Sequence, residues 1–224
     1  SIYYDGPITV HNLGTISVMA EKSFCLDSDE ASINIEYLYD GDTLKTAKAG
    51  LMADAIKWCK NDSIVKMTVV GPINTTEFET IRTLKNLQFL NLADAKIDGL
   101  AIPDNAFANS SIVSFVAPAE IGSVGTGIFS GCQQLAAVSW TTNKSLPNDA
   151  LSDVSNPNLL LYLNASATAP SNIKNVVKGG KAGTITLSDA TGNNNFYCPV
   201  AFHAASVIAR SEERRVGKEC RSRR

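Results

Sequence analysis

The sequence lacks the motifs on which most enzyme active sites depend. Its two histidines, His11 and His203, have no cysteine, carboxylate or serine elbow at a diagnostic spacing. No G-x-S-x-G, H-E-x-x-H, P-loop or G-x-G-x-x-G sequence occurs. We therefore expect a non-catalytic protein without a cofactor. A pair of carboxylates from distant parts of the chain, suited to glycoside hydrolysis, stays open as an alternative.

The five cysteines are widely spaced, and none lies within four residues of another. This spacing excludes the paired ligands of a typical zinc site, and the cysteines are too sparse for a disulfide scaffold. Cys59 and Cys132 lie in apolar patterns and are expected to be buried free thiols. The acidic stretch 39–43 lacks the glutamate that ends an EF-hand loop, so a solvated loop is predicted there and no metal site is expected.

Long apolar runs are also missing. No segment has 18 or more consecutive apolar residues, so no transmembrane segment is predicted. The chain starts at Ser1, without a methionine, a basic region or an apolar signal region. We expect this end to be a mature or fragment terminus, with any lipid anchor outside the sequence.

The positive charge is concentrated at one end of the chain. Residues 210–224 hold seven basic and three acidic side chains, which leaves residues 1–209 with 13 basic and 19 acidic ones, a net charge of −6. The tail RSEERRVGKECRSR resembles the in-frame translation of a common short-read sequencing adapter; the final Arg224 departs from that frame. We expect the tail to be non-native, and no nucleic-acid partner is predicted. A genuine basic arm for an anionic partner is the alternative.

An internal repeat occupies the middle of the chain. NLQFLNLADAKI has apolar residues at the leucine-rich-repeat spacing L-x-x-L-x-L, and related phrases begin at residues 64, 87, 112, 135 and 159. The last phrase, NLLLYLN, is interpreted as Leu159-x-x-Tyr162, with Leu160, Leu161 and Leu163 as competing choices. Each unit predicts one short strand whose inward side chains stack on those of the next unit.

Two turns carry a second signature, in IPDNAFANSS and VGTGIFSGCQQL. Phe107, Phe129 and Cys132 are expected to fill the convex side of the repeats, and Gly131 to permit a tight turn. These phrases resemble the BspA-like leucine-rich repeats of bacterial surface proteins over roughly residues 64–163. A serine replaces the cysteine in one repeat, and the last repeat lacks the phenylalanine. The resemblance implies adhesion to host matrix proteins or other cells, with export and often a lipid anchor.

The fold class predicted is α/β: a leucine-rich-repeat solenoid of short parallel strands with an irregular convex side. An amphipathic helix in TLKTAKAGLMADAIKWCKNDS, with Leu51, Ala55, Ile56 and Cys59 on one face, is expected to cap the first strand. A β-hairpin is expected from about residue 183. The predicted domains are a β-rich segment (1–47), the cap and about five repeats (48–163), a linker with a truncated β-segment (164–209), and the tail (210–224).

Strand alternation predicts the residues that face away from the core and could contact a ligand. This small, polar row suits a protein or glycan on host or neighbouring cells, and a cell-surface or secreted, outer-membrane-associated location is expected. Phe89 is the candidate aromatic anchor, unless it packs on the cap helix. The alternative is a stalk or spacer for a further domain, enzymatic or not. The candidate binding residues are Lys66, Thr68, Phe89, Asn91, Ser114, Val116, Ser139 and Thr141.

Overall fold

The computed structural model describes residues 10–19, 29–57, 63–142, 144–157, 159–164, 167–173 and 175–180. The hairpin expected from residue 183, the tail, His203, and four of the cysteines (Cys25, Cys59, Cys198 and Cys220) lie outside these ranges. Cys132 is described, and it is a buried free thiol as expected.

The described chain consists mainly of short strands with two helices. The first part holds β1 (Gly14–Val18), β2 (Ala31–Ile35), β3 (Tyr37–Asp40), β4 (Thr43–Thr46), α1 (Met52–Ile56), β5 (Lys66–Ile73), α2 (Thr75–Thr83) and β6 (Phe89–Ile97). The second part holds β7 (Ala101–Ile102), β8 (Ser114–Val116), β9 (Ser123–Val124), β10 (Ala137–Trp140), β11 (Leu160–Asn164) and β12 (Asn175–Gly180).

One eight-stranded sheet organises these elements, in the order β12-β11-β10-β8-β6-β5-β4-β3. All neighbouring strands from β4 to β12 are parallel, and only the hairpin β3–β4 is antiparallel. Strands β1 and β2 form a separate antiparallel pair, and β7 and β9 a separate parallel pair. The main sheet includes strands from both sides of residues 47 and 163. The predicted division of the chain at 47, 163 and 209 stays a prediction.

The repeat strands align in the register that the leucine spacing predicts for the first four units. Phe89, Ser114 and Ala137 are successive partners across β6, β8 and β10, each two residues after the start of its repeat phrase. Inward residues at the next position, Leu90, Phe115 and Val138, are fully buried. Because every unit pairs with the next at the same position, the inward side chains form one continuous core under the sheet.

The register predicted for the last repeat is wrong. Leu160, not Leu161, pairs with Ala137, so this unit is one residue shorter than the others. Leu161 and Leu163 belong to the core, whereas Tyr162 pairs with Ser139 on the opposite face of the sheet. Leu159 is also buried in the core. The apolar run is therefore compatible with pairing of either Leu160 or Leu161 with Ala137, and the backbone pairing with β10 selects Leu160.

The start of the repeat region differs from the long helix that was predicted. Residues Thr43–Thr46 form β4, which pairs with β5, and helix α1 covers only Met52–Ile56. Met52 and Ile56 are buried, whereas Leu51 and Ala55 are half-buried. The edge of β5 is therefore completed by backbone hydrogen bonds from another strand.

Helix α2, which was not predicted, follows β5 and begins with a capping box. Asn74 accepts the Thr76 amide at 2.8 Å, and Glu77 accepts the Asn74 amide at 2.8 Å. The other oxygen of Glu77 accepts the amides of Gly50 at 2.5 Å and Met52 at 3.5 Å. Glu77 is 1% exposed, so this buried carboxylate is satisfied by backbone donors and joins the starts of both helices.

The turns opposite the strands stack as regularly as the strands do. The Phe107 amide donates to the Ile128 carbonyl and the Phe129 amide to the Ala150 carbonyl, both at 2.8 Å. Phe107 stacks on Phe129 with ring centroids 5.3 Å apart, and Phe78 of α2 contacts Phe107 at 5.6 Å. Leu151 is buried at the equivalent position of the last turn, where the phenylalanine is missing. These side chains form the second wall of the core.

Candidate binding face

The candidate ligand contacts lie on the face of the sheet that points away from the core. Two rows cross the strands on this face, and each row takes one residue from each of β5, β6, β8, β10 and β11. The first row is Lys66, Phe89, Ser114, Ala137 and Leu160. The second row is Thr68, Asn91, Val116, Ser139 and Tyr162. Period-two alternation therefore places the predicted residues on one face of the sheet, with Thr141 immediately after β10.

The two halves of this face differ in accessibility. Lys66 is exposed, and Thr68 and Phe89 are half-buried. The other five predicted contacts are buried: Asn91 is 4% exposed, Ser114 1%, Val116 7%, Ser139 3% and Thr141 4%. From Asn91 onward the predicted residues therefore face away from the core without being exposed. A role of these residues in binding stays a prediction.

Asn91 has a local structural function. Its side-chain oxygen accepts the Ala93 amide at 3.0 Å, at the point where the β5–β6 register shifts by one residue. An amide side chain that satisfies a displaced backbone donor stabilises the irregularity of the strand. This contact accounts for the buried polar side chain without a ligand.

The accessible half is named here the open strand face, and it comprises outward residues of β4, β5 and the ends of β6. Lys66 and Phe89 are register partners, and the Lys66 ammonium lies 5.9 Å from the centre of the Phe89 ring, within the range of a cation–π contact. The Phe89 ring is thus on the strand side, beside a lysine. The residues of the open strand face are Thr43, Lys45, Lys66, Thr68, Val70, Phe89, Asp94 and Lys96.

Comparison with known families identifies the repeat. The model for the BspA type Leucine rich repeat region matches residues 52–155 and 100–176, in six copies, which together cover more than half of the chain. The chain belongs to the BspA-type leucine-rich repeat family. No curated protein matches the sequence significantly.

In this BspA-type repeat, the sequence interpretation missed Lys45. The prediction included this residue in the cap helix and not in a strand of the sheet. In the structure it lies on β4 opposite Val70 of β5, so it joins the open strand face. Its ammonium donates to the backbone carbonyl of His11 at 3.4 Å. Reading T-L-K-T as an alternating strand would have found it.

Few other groups in the described part of the repeat have a distinctive chemistry. Burial raises the pKa of the Cys132 thiol above its ordinary value of 9.0, against the opposing effect of hydrogen bonds from Ser110 and Asn109. The thiol donates to the Phe107 carbonyl at 3.0 Å, so it supports the turn stack. Within the described ranges, no group of three or more His, Cys, Asp or Glu side chains could hold a metal ion, and no helix is long and apolar enough to cross a membrane.

Proposed function

We propose that this chain is a non-catalytic binding module of a bacterial surface or secreted protein. Its open strand face contacts a protein or glycan on a host or neighbouring cell. The observation that carries the proposal is the accessible Lys66–Phe89 pair on the strand side of a leucine-rich repeat. Aromatic side chains are enriched at the centres of protein interfaces, and a flanking cation adds directional contacts.

In this proposal the repeats form a solenoid, and α1 covers one end of it. The protein is displayed at the cell surface or secreted, in association with the outer membrane, as the family resemblance implies. Nucleic acid is not a partner, because residues 1–209 carry a net charge of −6. The repeat region itself has no catalytic function.

A stalk or spacer function is the second candidate. The burial of five of the eight predicted contacts favours it, because a spacer needs internal stacking but no open face. Such a stalk would hold a further domain, enzymatic or not, away from its anchor.

Binding to defined ligands distinguishes these functions. The full chain is immobilised on a biosensor and exposed to a panel of purified extracellular-matrix proteins, and in parallel it is applied to a glycan array. We expect a ligand whose Kd rises about tenfold for Phe89→Ser, the effect typical of an aromatic anchor. The matched control, Lys144→Ser, removes an exposed lysine that follows β10 and leaves the Kd unchanged. Absence of any ligand supports the stalk, whereas binding that is indifferent to Phe89 shows that the contact lies outside the open strand face.

A further inference from the structure

The open strand face carries positive charge although the body of the protein is acidic. Lys45, Lys66 and Lys96 lie on it, and Asp94 is the acidic residue among its members. The described ion pairs are His11–Asp40, Lys48–Glu36 and Lys57–Asp54, so within the described part of the chain none of these three lysines has a carboxylate partner.

The register fixes the spacing of two of these lysines. Lys45 lies opposite Val70, and Lys66 is four residues before Val70 on β5. At about 3.3 Å per residue, the two lysines are about 13 Å apart along the strand direction. Between them lie the paired threonines Thr43 and Thr68, which are uncharged and half-buried. Phe89 beside Lys66 and Val70 beside Lys45 offer an apolar contact at each end.

We propose that the partner contacts this face through an extended acidic protein segment with two carboxylates four residues apart. This inference rests on the proposed binding function and names the chemistry of the ligand. In an extended chain, residues i and i+4 point to the same side and lie about 13 Å apart, which matches the separation of Lys45 and Lys66. Apolar side chains of the segment contact Phe89 and Val70, and its backbone lies over the two threonines.

The flanking charges favour a narrow segment over a broad polyanion. Asp94 of β6 lies opposite Val70 on one side of the lysines, and Asp40 of β3 pairs with Thr43 on the other side. A sulfated polysaccharide laid across the strands would meet both carboxylates as well as the lysines. A peptide running along β5 passes Asp94 beside Val70 but stays clear of Asp40, which lies two strands away on β3. It therefore gains the attraction of Lys45 and Lys66 with the repulsion of one carboxylate instead of two.

Selection from a random twelve-residue peptide library displayed on phage tests this proposal with the full chain as target. We expect enriched peptides to carry Asp or Glu at positions four apart with an apolar residue nearby. For a synthetic copy of the best peptide, Lys45→Glu combined with Lys66→Glu should raise the Kd at least about tenfold, and so should replacing the two acidic residues of the peptide by their amides. Lys144→Glu is the matched charge reversal outside the face and should leave the Kd unchanged.

The possible outcomes separate this inference from the function on which it rests. Enriched peptides that lack acidic pairs but lose binding with Phe89→Ser overturn the inference and leave the binding function standing. A second outcome is that heparin binds the chain and competes with the selected peptide, and that the Lys45/Lys66 reversal abolishes this heparin binding. The site would then take a polyanion, which also overturns the inference. If no peptide is enriched and no ligand of the panel binds, both the inference and the binding function are wrong.

Discussion

The strand side and the turn side of the repeats are held in register by different means. On the strand side, parallel backbone hydrogen bonds align successive units, and the outward residues vary from Lys66 to Leu160 along a single row. On the turn side, stacked turns place particular residues at equivalent positions, with Phe107 above Phe129. Backbone pairing tolerates many side chains, whereas the turns depend on ring packing and on backbone conformation.

The conformations of the turns make this dependence explicit. Asn109, Gly131 and Asp153 occupy equivalent positions of three successive turns, with φ angles of 57°, 73° and 60°. This left-handed region is costly for most side chains but accessible to Gly, Asn and Asp. We therefore expect substitutions on the turn side to change stability more than substitutions on the open strand face, which should change binding.

The largest effect is expected for Phe107→Ala. Phe107 is fully buried and contacts Phe78, Phe115 and Phe129 at centroid distances between 4.9 and 5.6 Å. Removing a buried ring typically lowers the free energy of unfolding by about 3–5 kcal/mol. Urea denaturation followed by circular dichroism measures this difference. Phe89→Ala on the strand side is the control and should cost less than about 1.5 kcal/mol, because its ring is already half-exposed; equal losses would contradict the comparison.

Glu77→Ala should have the next largest effect. The substitution leaves the part-buried amides of Gly50 and Asn74 and the buried amide of Met52 without their carboxylate acceptor. Leaving a buried donor unsatisfied costs about 1–3 kcal/mol, so we expect a total loss of about 2–4 kcal/mol in chemical denaturation. Glu79→Ala, an exposed glutamate on the same helix, should change stability by less than about 0.5 kcal/mol. A small effect of Glu77→Ala would show that water replaces the carboxylate.

Gly131→Ala should be more damaging than Gly99→Ala. Both glycines have positive φ, 73° and 70°, but a Cβ at Gly131 would meet the Asn109 side-chain oxygen, whereas a Cβ at Gly99 would meet nothing within 4 Å. In each variant the left-handed backbone conformation of alanine lowers the free energy of unfolding by about 1–2 kcal/mol. Gly131→Ala adds a steric clash, which is relieved only if the Asn109 side chain moves. Differential scanning calorimetry of the two variants measures the difference. Equal melting temperatures would indicate that the turn stack is loose at Asn109.

The smallest effect concerns the Cys132 thiol. Burial raises its pKa above the ordinary value of 9.0, so the native thiol is protonated at pH 8. It should therefore react slowly with a maleimide. Its contribution to stability is fully present below the unfolded pKa and is lost as the pH rises through the higher folded pKa, because only the unfolded chain then releases the proton readily. Mapping labelled peptides by mass spectrometry at pH 8, with and without urea, checks this. Rapid labelling of native Cys132 would contradict the packing.

Much of the repeat could be predicted from spacing, and the failures have specific causes. The spacing of the apolar residues from Ile64 to Leu135 predicted the positions of four strands, because each repeat needs a buried residue at the equivalent position. The run Leu159–Leu163 offered two spacings, and pairing with β10 chose between them. Thr43–Thr46 lies directly before the helical pattern of Leu51, Ala55 and Ile56, so the predicted helix was extended over it. The capping box Asn74-x-x-Glu77 is readable in the sequence and was overlooked.

The sequence by itself determined the repeat family, the core residues of the first four repeat strands and the turn signature of the units that carry it. Hydrophobic spacing and the positions of Gly, Asn and Phe act locally and recur from unit to unit. The tertiary structure alone decided which outward residues are accessible. Alternation places Lys66 and Ser114 on the same face equally well, yet one is exposed and the other is 1% exposed. Accessibility depends on what packs above a residue, and such contacts join parts of the chain that no local pattern relates.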